Sequence, residues 1–238
     1  MTTGRTTTRA DQRRRLVEVA ISALEAGGPD ALQARSLGAQ IGASAQAVYT
    51  LLGGMPGVFE AVVTEGLTRL AAHVAATPET PDPVADHFSK GWAYYDWALA
   101  RPQLYRLMFG LTGADLRLRA KLEISATGMA DFPEGRAALQ VMVQSVDRVI
   151  QSGRIRPADA LLVARQFFSA THGHVLLQIA GAFGDRDEGL LVLGALAVNL
   201  MIGLGDDPQA VENSMLATLA ARPDALGLGG RAGGETSV

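Results

Sequence analysis

The side chains best equipped for chemistry in this 238-residue chain are its four histidines, and their spacing limits what they can do. His172 and His174 stand two apart in a helical pattern, where side chains point about 200° apart, so they cannot share an ion within one chain. His73 and His87 are remote in sequence, and no Glu-x-x-His pair of the di-iron bundle type occurs. Cysteine is absent, which excludes a disulfide scaffold, thiolate metal sites and a thiol nucleophile. There is no Gly-x-Ser-x-Gly elbow, no phosphate-binding loop and no dinucleotide fingerprint. The reading is that the protein is not an enzyme, with no catalytic residues, no metal and no cofactor, and that its histidines are core or pocket residues.

A different chemistry is offered by residues 32–59, LQARSLGAQIGASAQAVYTLLGGMPGVF. Gly38 and Gly42 are four apart and Ser44 follows two later, as a helix-turn-helix requires. A residue without a side chain at 38 lets two helices approach, Gly42 can take the left-handed turn conformation, and Ser44 can cap the second helix. On that second helix Val48 and Leu52 are one turn apart and are expected to pack inward. Ala45, Gln46, Ala47, Tyr49 and Thr50 are left outside to face DNA. Only Gln46 among them has the bidentate geometry that reads adenine, while Tyr49 and Thr50 suit phosphate positioning. Arg35 joins this DNA-facing set. An arginine cluster at positions 5, 9, 13, 14 and 15 precedes the motif, and Arg9 and Arg13 are read as part of a backbone- or minor-groove-contacting arm.

The overall formal charge of −3 would argue against a nucleic-acid partner, but it is unevenly distributed. The first 58 residues hold six arginines against four acids and carry +2, which leaves −5 on the remaining 180. A small basic head sits on a larger acidic body. With 48% hydrophobic and 19% charged residues the composition is globular.

Helices must position all of these groups, because 3–4 periodicity dominates and no segment alternates as a strand does. The first helix carries Leu16, Val19, Ala20, Ala23 and Leu24 and stops at Gly27-Gly28-Pro29. After Gly53-Gly54, Pro56 suits the first turn of a helix with Val58, Phe59, Val62, Val63, Leu67, Leu70 and Val74 as its apolar stripe. Thr77 to Pro83, TPETPDP, reads as a linker, since three prolines in seven residues stop helix continuation. Beyond it, helices are expected at about 83–100, 102–110, 114–128, 133–152, 157–183, 187–204 and 207–221. The fold expected is all-α: a DNA-binding head over 1–76, a ligand-binding and dimerisation domain over 77–222, and a frayed tail over 223–238.

The head resembles the DNA-binding domain of TetR-family transcriptional regulators over roughly its first 75 residues. The likeness lies in the basic start, the helix ending in Gly-Gly-Pro, the compact helix-turn-helix reaching Ala47-Val48-Tyr49, and the helix opening after Gly-Gly. That resemblance implies a homodimer on a near-palindromic double-stranded operator, usually a repressor released by a small-molecule effector bound in the C-terminal domain. Two residues depart from the family pattern. Leu52 stands where an aromatic is common, and Met55 where a lysine would meet a phosphate. The amides after Pro56 can still bind phosphate at the helix N-terminus, so a shallower salt dependence is expected than for a lysine-bearing relative.

Seven of the 13 aromatics fall within residues 88–109. On the helix over 83–100, Phe88, Trp92 and Tyr95 share a face with Leu99, and Tyr94 and Trp97 lie on another. Two aromatic faces suggest that one lines a cavity or meets a partner. The segment 167–183, FFSATHGHVLLQIAGAF, resembles a TetR subgroup with a His-Gly pair in a late helix; His172-Gly173 matches, and Phe168 stands where that subgroup often has tryptophan. Trp92, Tyr95, Tyr105, Phe109, Phe168 and His172 are therefore the expected ligand-binding set. The apolar run Gly189 to Gly205 spans 17 residues, short of the ~20 a membrane span needs, and no apolar leader opens the chain. No membrane partner is expected, and the location expected is cytoplasmic. The helices expected over 157–183 and 187–204 are apolar over too much of their circumference for a surface position, and the family resemblance implies a dimerisation bundle there. An all-α small-molecule-binding protein or enzyme with a degenerate head remains open as a second reading, and Leu52 and Met55 are what favour it.

Overall fold

The computed structural model describes residues 8–111 and 133–222. The helix expected over 114–128, Arg5 and the tail from 223 lie outside the described residues. Among those described there are ten α-helices, one 3-10 turn at Pro29–Ala31 and no strand, so the all-α architecture read from the sequence is the one observed. Packing groups the helices into two compact units, one drawn from residues 1–71 and 100–138 and the other from 72–99 and 139–238.

In the first unit, α1 (Arg9–Gly27), α2 (Ala34–Gln40), α3 (Ala45–Leu52) and most of α4 (Met55–Ala75) enclose a core of Leu16, Leu24, Leu37, Val48 and Val62, each fully buried. α1 begins with a reciprocal cap: the Asp11 amide donates to Thr8 Oγ1 and the Thr8 amide to the Asp11 carboxylate. Arg69 of α4 pairs with Glu65 on its own helix and with Glu18 of α1.

The short helix α6 (Pro102–Met108) packs with this unit rather than with the later helices. The reason is local and chemical. The Glu25 carboxylate, near the end of α1, accepts from the Leu104 amide at 2.7 Å and the Gln103 amide at 3.4 Å, capping α6 from outside. A Cβ on Gly66 of α4 would lie 2.7 Å from Met108 Sδ, so α6 also presses onto α4 at its glycine. The expected boundary at 76 and 77 is a single cut, whereas each packing unit draws on two stretches of the chain.

The second unit is built around α5 (Pro83–Ala100), with twelve of its eighteen residues buried. That explains its two aromatic faces: neither looks onto water, and Phe88, Trp92, Tyr94, Tyr95 and Trp97 are all buried. α5 also buries Asp86 and Lys90, which survive because they are paired. Asp86 accepts from the Thr80 amide and hydroxyl and from Arg148 at 2.7 Å. Lys90 Nζ lies 3.3 Å from Thr77 Oγ1 and 3.9 Å from Glu79. Burial opposes the charge on Asp86, yet these donors hold its carboxyl below the ordinary value. The TPETPDP segment does end α4 and start α5, but it is tied down by these bonds and by Asp82, which caps the amides of Val84 and Ala85.

The remaining helices are α7 (Pro133–Gln151), α8 (Ala160–Ile179), α9 (Arg186–Gly203) and α10 (Pro208–Ala220). Each of the last three starts at an aspartate that caps free amides: Asp159, Asp185 and Asp207. Asp159 is why α8 begins at 160 rather than the expected 157, and the left-handed Gly181 (φ 78°) follows its end.

Candidate nucleic-acid interface and ligand cavity

The helix-turn-helix is α2, the turn 41–44 and α3. Leu37 and Val48 are fully buried and Leu52 nearly so, which fixes the roll of α3. The two helices meet so closely that a Cβ on Gly38 would sit 2.7 Å from the Ser44 carbonyl oxygen. Gly42 turns the chain at φ 72°, a conformation that disfavours any residue with a side chain. Ser44 occupies the N-cap position of α3, but its side chain makes no capping bond; a hydroxyl was expected to fill that role.

Gln46, Tyr49 and Thr50 are exposed on α3, with Tyr49 55% accessible despite its size. Ser44 and Arg35 are exposed beside them, and Ala45 and Ala47 are half-buried. The Thr50 hydroxyl donates to the Gln46 carbonyl at 3.0 Å. Arg9 donates from its guanidinium to the Thr50 carbonyl at 2.7 Å, tying the start of α1 to the end of α3. Arg13, also exposed, borders a groove between α1 and α4, and Arg14 pairs with Asp11 at 2.6 Å. Of the arginine cluster, Arg9 and Arg14 therefore already have partners within the head.

The second unit contains a narrow cavity of about 30 Å³. Phe88, Gly91 and Trp92 line it from α5, Phe167 and Thr171 from α8, and Leu193 and Ala197 from α9; His87 and Met142 complete it. His87 is fully buried, its Nδ1 3.0 Å from Ser145 Oγ and its ring edge-on to Phe167. Burial, together with the neighbouring Lys90 charge, pushes its pKa down to about 4. A neutral histidine is what the site holds at physiological pH.

The expected ligand-binding residues are divided between the two units. Trp92 lines this cavity and Tyr95 lies one turn further along the same face of α5. Phe168 and His172 stack on one another at 5.2 Å and meet Tyr94, whose hydroxyl is 3.4 Å from His172 Nδ1. Burial lowers the His172 pKa to about 4. His174, on the opposite side of α8, stacks on Phe183 at 4.6 Å, so the two histidines diverge as their spacing requires. Tyr105 and Phe109 pack together at 4.7 Å in the first unit and are not among the residues lining this cavity. His87, Gly91, Phe167 and Thr171 were not among the sequence candidates. The available sign was a glycine in the middle of an aromatic helix.

Residues 89–193 match the family described as Tetracyclin repressor-like, C-terminal domain. No curated protein matches the sequence. Among solved structures, a protein of unknown function from Rhodococcus sp. RHA1 is 27% identical, with a TM-score of 0.66 over 82% of this chain and 96% of that one. RolR in complex with resorcinol is 12% identical, with a TM-score of 0.61 over 89% of this chain and 96% of its own. The TetR-family transcriptional regulator PfmR from Thermus thermophilus is 17% identical, with a TM-score of 0.55 over 80% and 98%. The last two likenesses are likenesses of fold.

Proposed function

We propose that this chain is a DNA-binding regulator of transcription of the TetR type and that it works as a cytoplasmic, non-enzymatic homodimer. It represses from a near-palindromic operator and leaves it when a small molecule occupies the second unit. The observation that carries this is the α2–turn–α3 geometry. Backbone contact at Gly38 and burial of Val48 hold α3 rigidly, with Gln46, Tyr49 and Thr50 presented outward.

In this reading Gln46 contacts a base edge, while Tyr49, Thr50, Ser44 and Arg35 position the head on phosphates. Ala45 and Ala47 let the helix approach the groove closely. Arg13 extends the contact along the backbone, and Arg9 stiffens the end of α3 while keeping spare donors for phosphate. Trp92 and Tyr95 belong to the effector site; Phe168 and His172 form its neighbouring aromatic wall, and Tyr105 sits on α6 with Phe109 at its C-cap. RolR carries resorcinol, which supports a small organic effector for this chain.

The homodimer is supported by an apolar surface on α8 and α9. Leu177 is 51% exposed and Leu191 72% exposed, apolar area that a partner subunit would cover. No single helix among the described residues is long and apolar enough to cross a membrane.

The test is a footprint of the purified protein on DNA upstream of its own gene and of the adjacent genes. A protected, near-symmetric site that is released by a small molecule is expected. Ligand binding by a protein that protects no site would instead favour an all-α carrier with a degenerate head.

A further inference from the structure

We infer that Gly54 is a positioning residue for operator binding: its missing side chain seats the ring of Tyr49 and so aims the largest exposed group on α3. The inference rests on reading α3 as the DNA-facing helix and adds what sets the direction of one of its contacts.

Tyr49 is 55% exposed. An exposed aromatic side chain samples several rotamers, and binding must then restrict it at a cost in entropy. Here the root of the side chain is fixed. Val48 beside it is fully buried, the Thr50 carbonyl accepts from Arg9 at 2.7 Å, and the Tyr49 carbonyl accepts from the Gly53 amide at 2.9 Å. Only the side-chain torsions of Tyr49 remain, and Gly54 limits them.

A Cβ on Gly54 would lie 2.9 Å from Tyr49 Cε1 and 3.0 Å from its Cδ1. The ring therefore rests where a side chain at 54 would begin. The Gly54 carbonyl accepts from the Val58 amide at 3.1 Å, which makes Gly54 the N-cap residue of α4. Serine, threonine, aspartate and asparagine are the common choices at such a position, and each would place its Cβ against the ring. Gly54 also holds φ 90°, so it both turns the chain from α3 into α4 and seats the ring.

Gly53 separates these two roles. It is left-handed as well, at φ 73°, but a Cβ there would meet nothing within 4 Å. Alanine at 53 carries the backbone strain of the turn without touching Tyr49, whereas alanine at 54 carries the strain and displaces the ring. The atoms displaced at 54 belong to a side chain that can rotate, so the ring swings aside and no backbone has to part. The hydroxyl, beyond Cε1 on the same lever, moves at least as far as the contact does. Strain falls on stability, and the swing of the ring falls on operator affinity.

The test is a double-mutant cycle in the full chain. Fluorescence anisotropy on labelled operator DNA gives the affinities of wild type, Gly54→Ala, Tyr49→Ala and the double variant. Gly53→Ala is the strain control, and the unfolding temperature is measured for each. Gly54→Ala should weaken operator binding by about fivefold or more, but by less than about twofold when Tyr49 is already alanine. Gly53→Ala should lose stability and keep operator affinity within about twofold. Equal weakening by Gly54→Ala in both backgrounds, no weakening at all, or a loss in Gly53→Ala as large as in Gly54→Ala overturns the inference. Should Gly54→Ala not fold, wild type alone decides. A nuclear Overhauser effect between the Gly54 α protons and the Tyr49 ring protons is expected in the free protein and in the operator complex, and its absence in either overturns the inference. A wild type that binds no DNA sinks the regulator reading and this role with it; a wild type that binds while the two backgrounds agree sinks the role alone.

Discussion

Replacing Gly38 by alanine sets two effects of opposite sign against each other at the joint of the helix-turn-helix. Alanine is the better helix former by about 1 kcal/mol, and in an open helix it would stabilise α2. Here its Cβ would lie 2.7 Å from the Ser44 carbonyl oxygen and 2.8 Å from its carbon. Those are backbone atoms at the start of α3, so no side-chain rotation can relieve the contact, and the two helices must separate by several tenths of an ångström. Overpacking of this kind costs about 1–3 kcal/mol, leaving a net loss of up to about 2 kcal/mol after the helix gain. That is a fall in unfolding temperature of up to about 8 °C for a protein of this size. Because the displaced element is α3, operator affinity should fall by more than the folded fraction does. Urea unfolding and fluorescence anisotropy on operator DNA measure the two effects. A Gly38→Ala protein that is more stable than wild type and binds its operator equally well would refute the close approach of α2 and α3.

Three further outcomes follow from the geometry. Glu25→Ala removes the carboxylate that caps α6 and should cost about 1–2 kcal/mol of stability; an unchanged unfolding temperature would show that α6 is held without it. His87 and His172 have folded pKa values of about 4 against about 6.5 unfolded, so the unfolded chain binds their protons first. The stability tied to their neutral forms is intact above pH 6.5 and is lost as pH falls toward 4, at up to about 1.4 kcal/mol per pH unit for each. His87→Asn or His172→Asn should flatten that acid slope by about one proton, and a slope equal to wild type would contradict their neutral burial. Met55→Lys should steepen the dependence of log affinity on log salt by about one per half-site; parallel lines would mean that position 55 meets no phosphate.

Much of this was legible because the chain punctuates its helices with residues whose effect is local. Pro83, Pro102, Pro133 and Pro208 open helices, and Gly28, Gly53 and Gly181 follow their ends. Gly38, Gly42 and Val48 revealed the helix-turn-helix for the same reason, since each acts on neighbours within ten residues. What stayed hidden depends on partners far along the chain. The capping of α6 by Glu25 joins residues 79 apart, and without it Tyr105 and Phe109 read naturally as part of one aromatic cluster with Trp92. Asp86 and Lys90 look like surface charges until Arg148, Thr80 and Glu79 are brought beside them. Gly91, in the middle of an aromatic helix, was a visible sign, but only the cavity shows that its missing side chain leaves space.

The central claim is that α3 reads DNA through Gln46, and the most direct measurement is the dissociation constant of wild type and Gln46→Ala on the footprinted operator and on an unrelated duplex at one salt concentration. Loss of a bidentate base contact is worth about 1–3 kcal/mol per half-site, or roughly 5- to 150-fold. That loss is expected on the operator, with no change on the unrelated duplex. Equal affinity of wild type for both duplexes, or a Gln46→Ala protein that keeps full operator affinity, would contradict it.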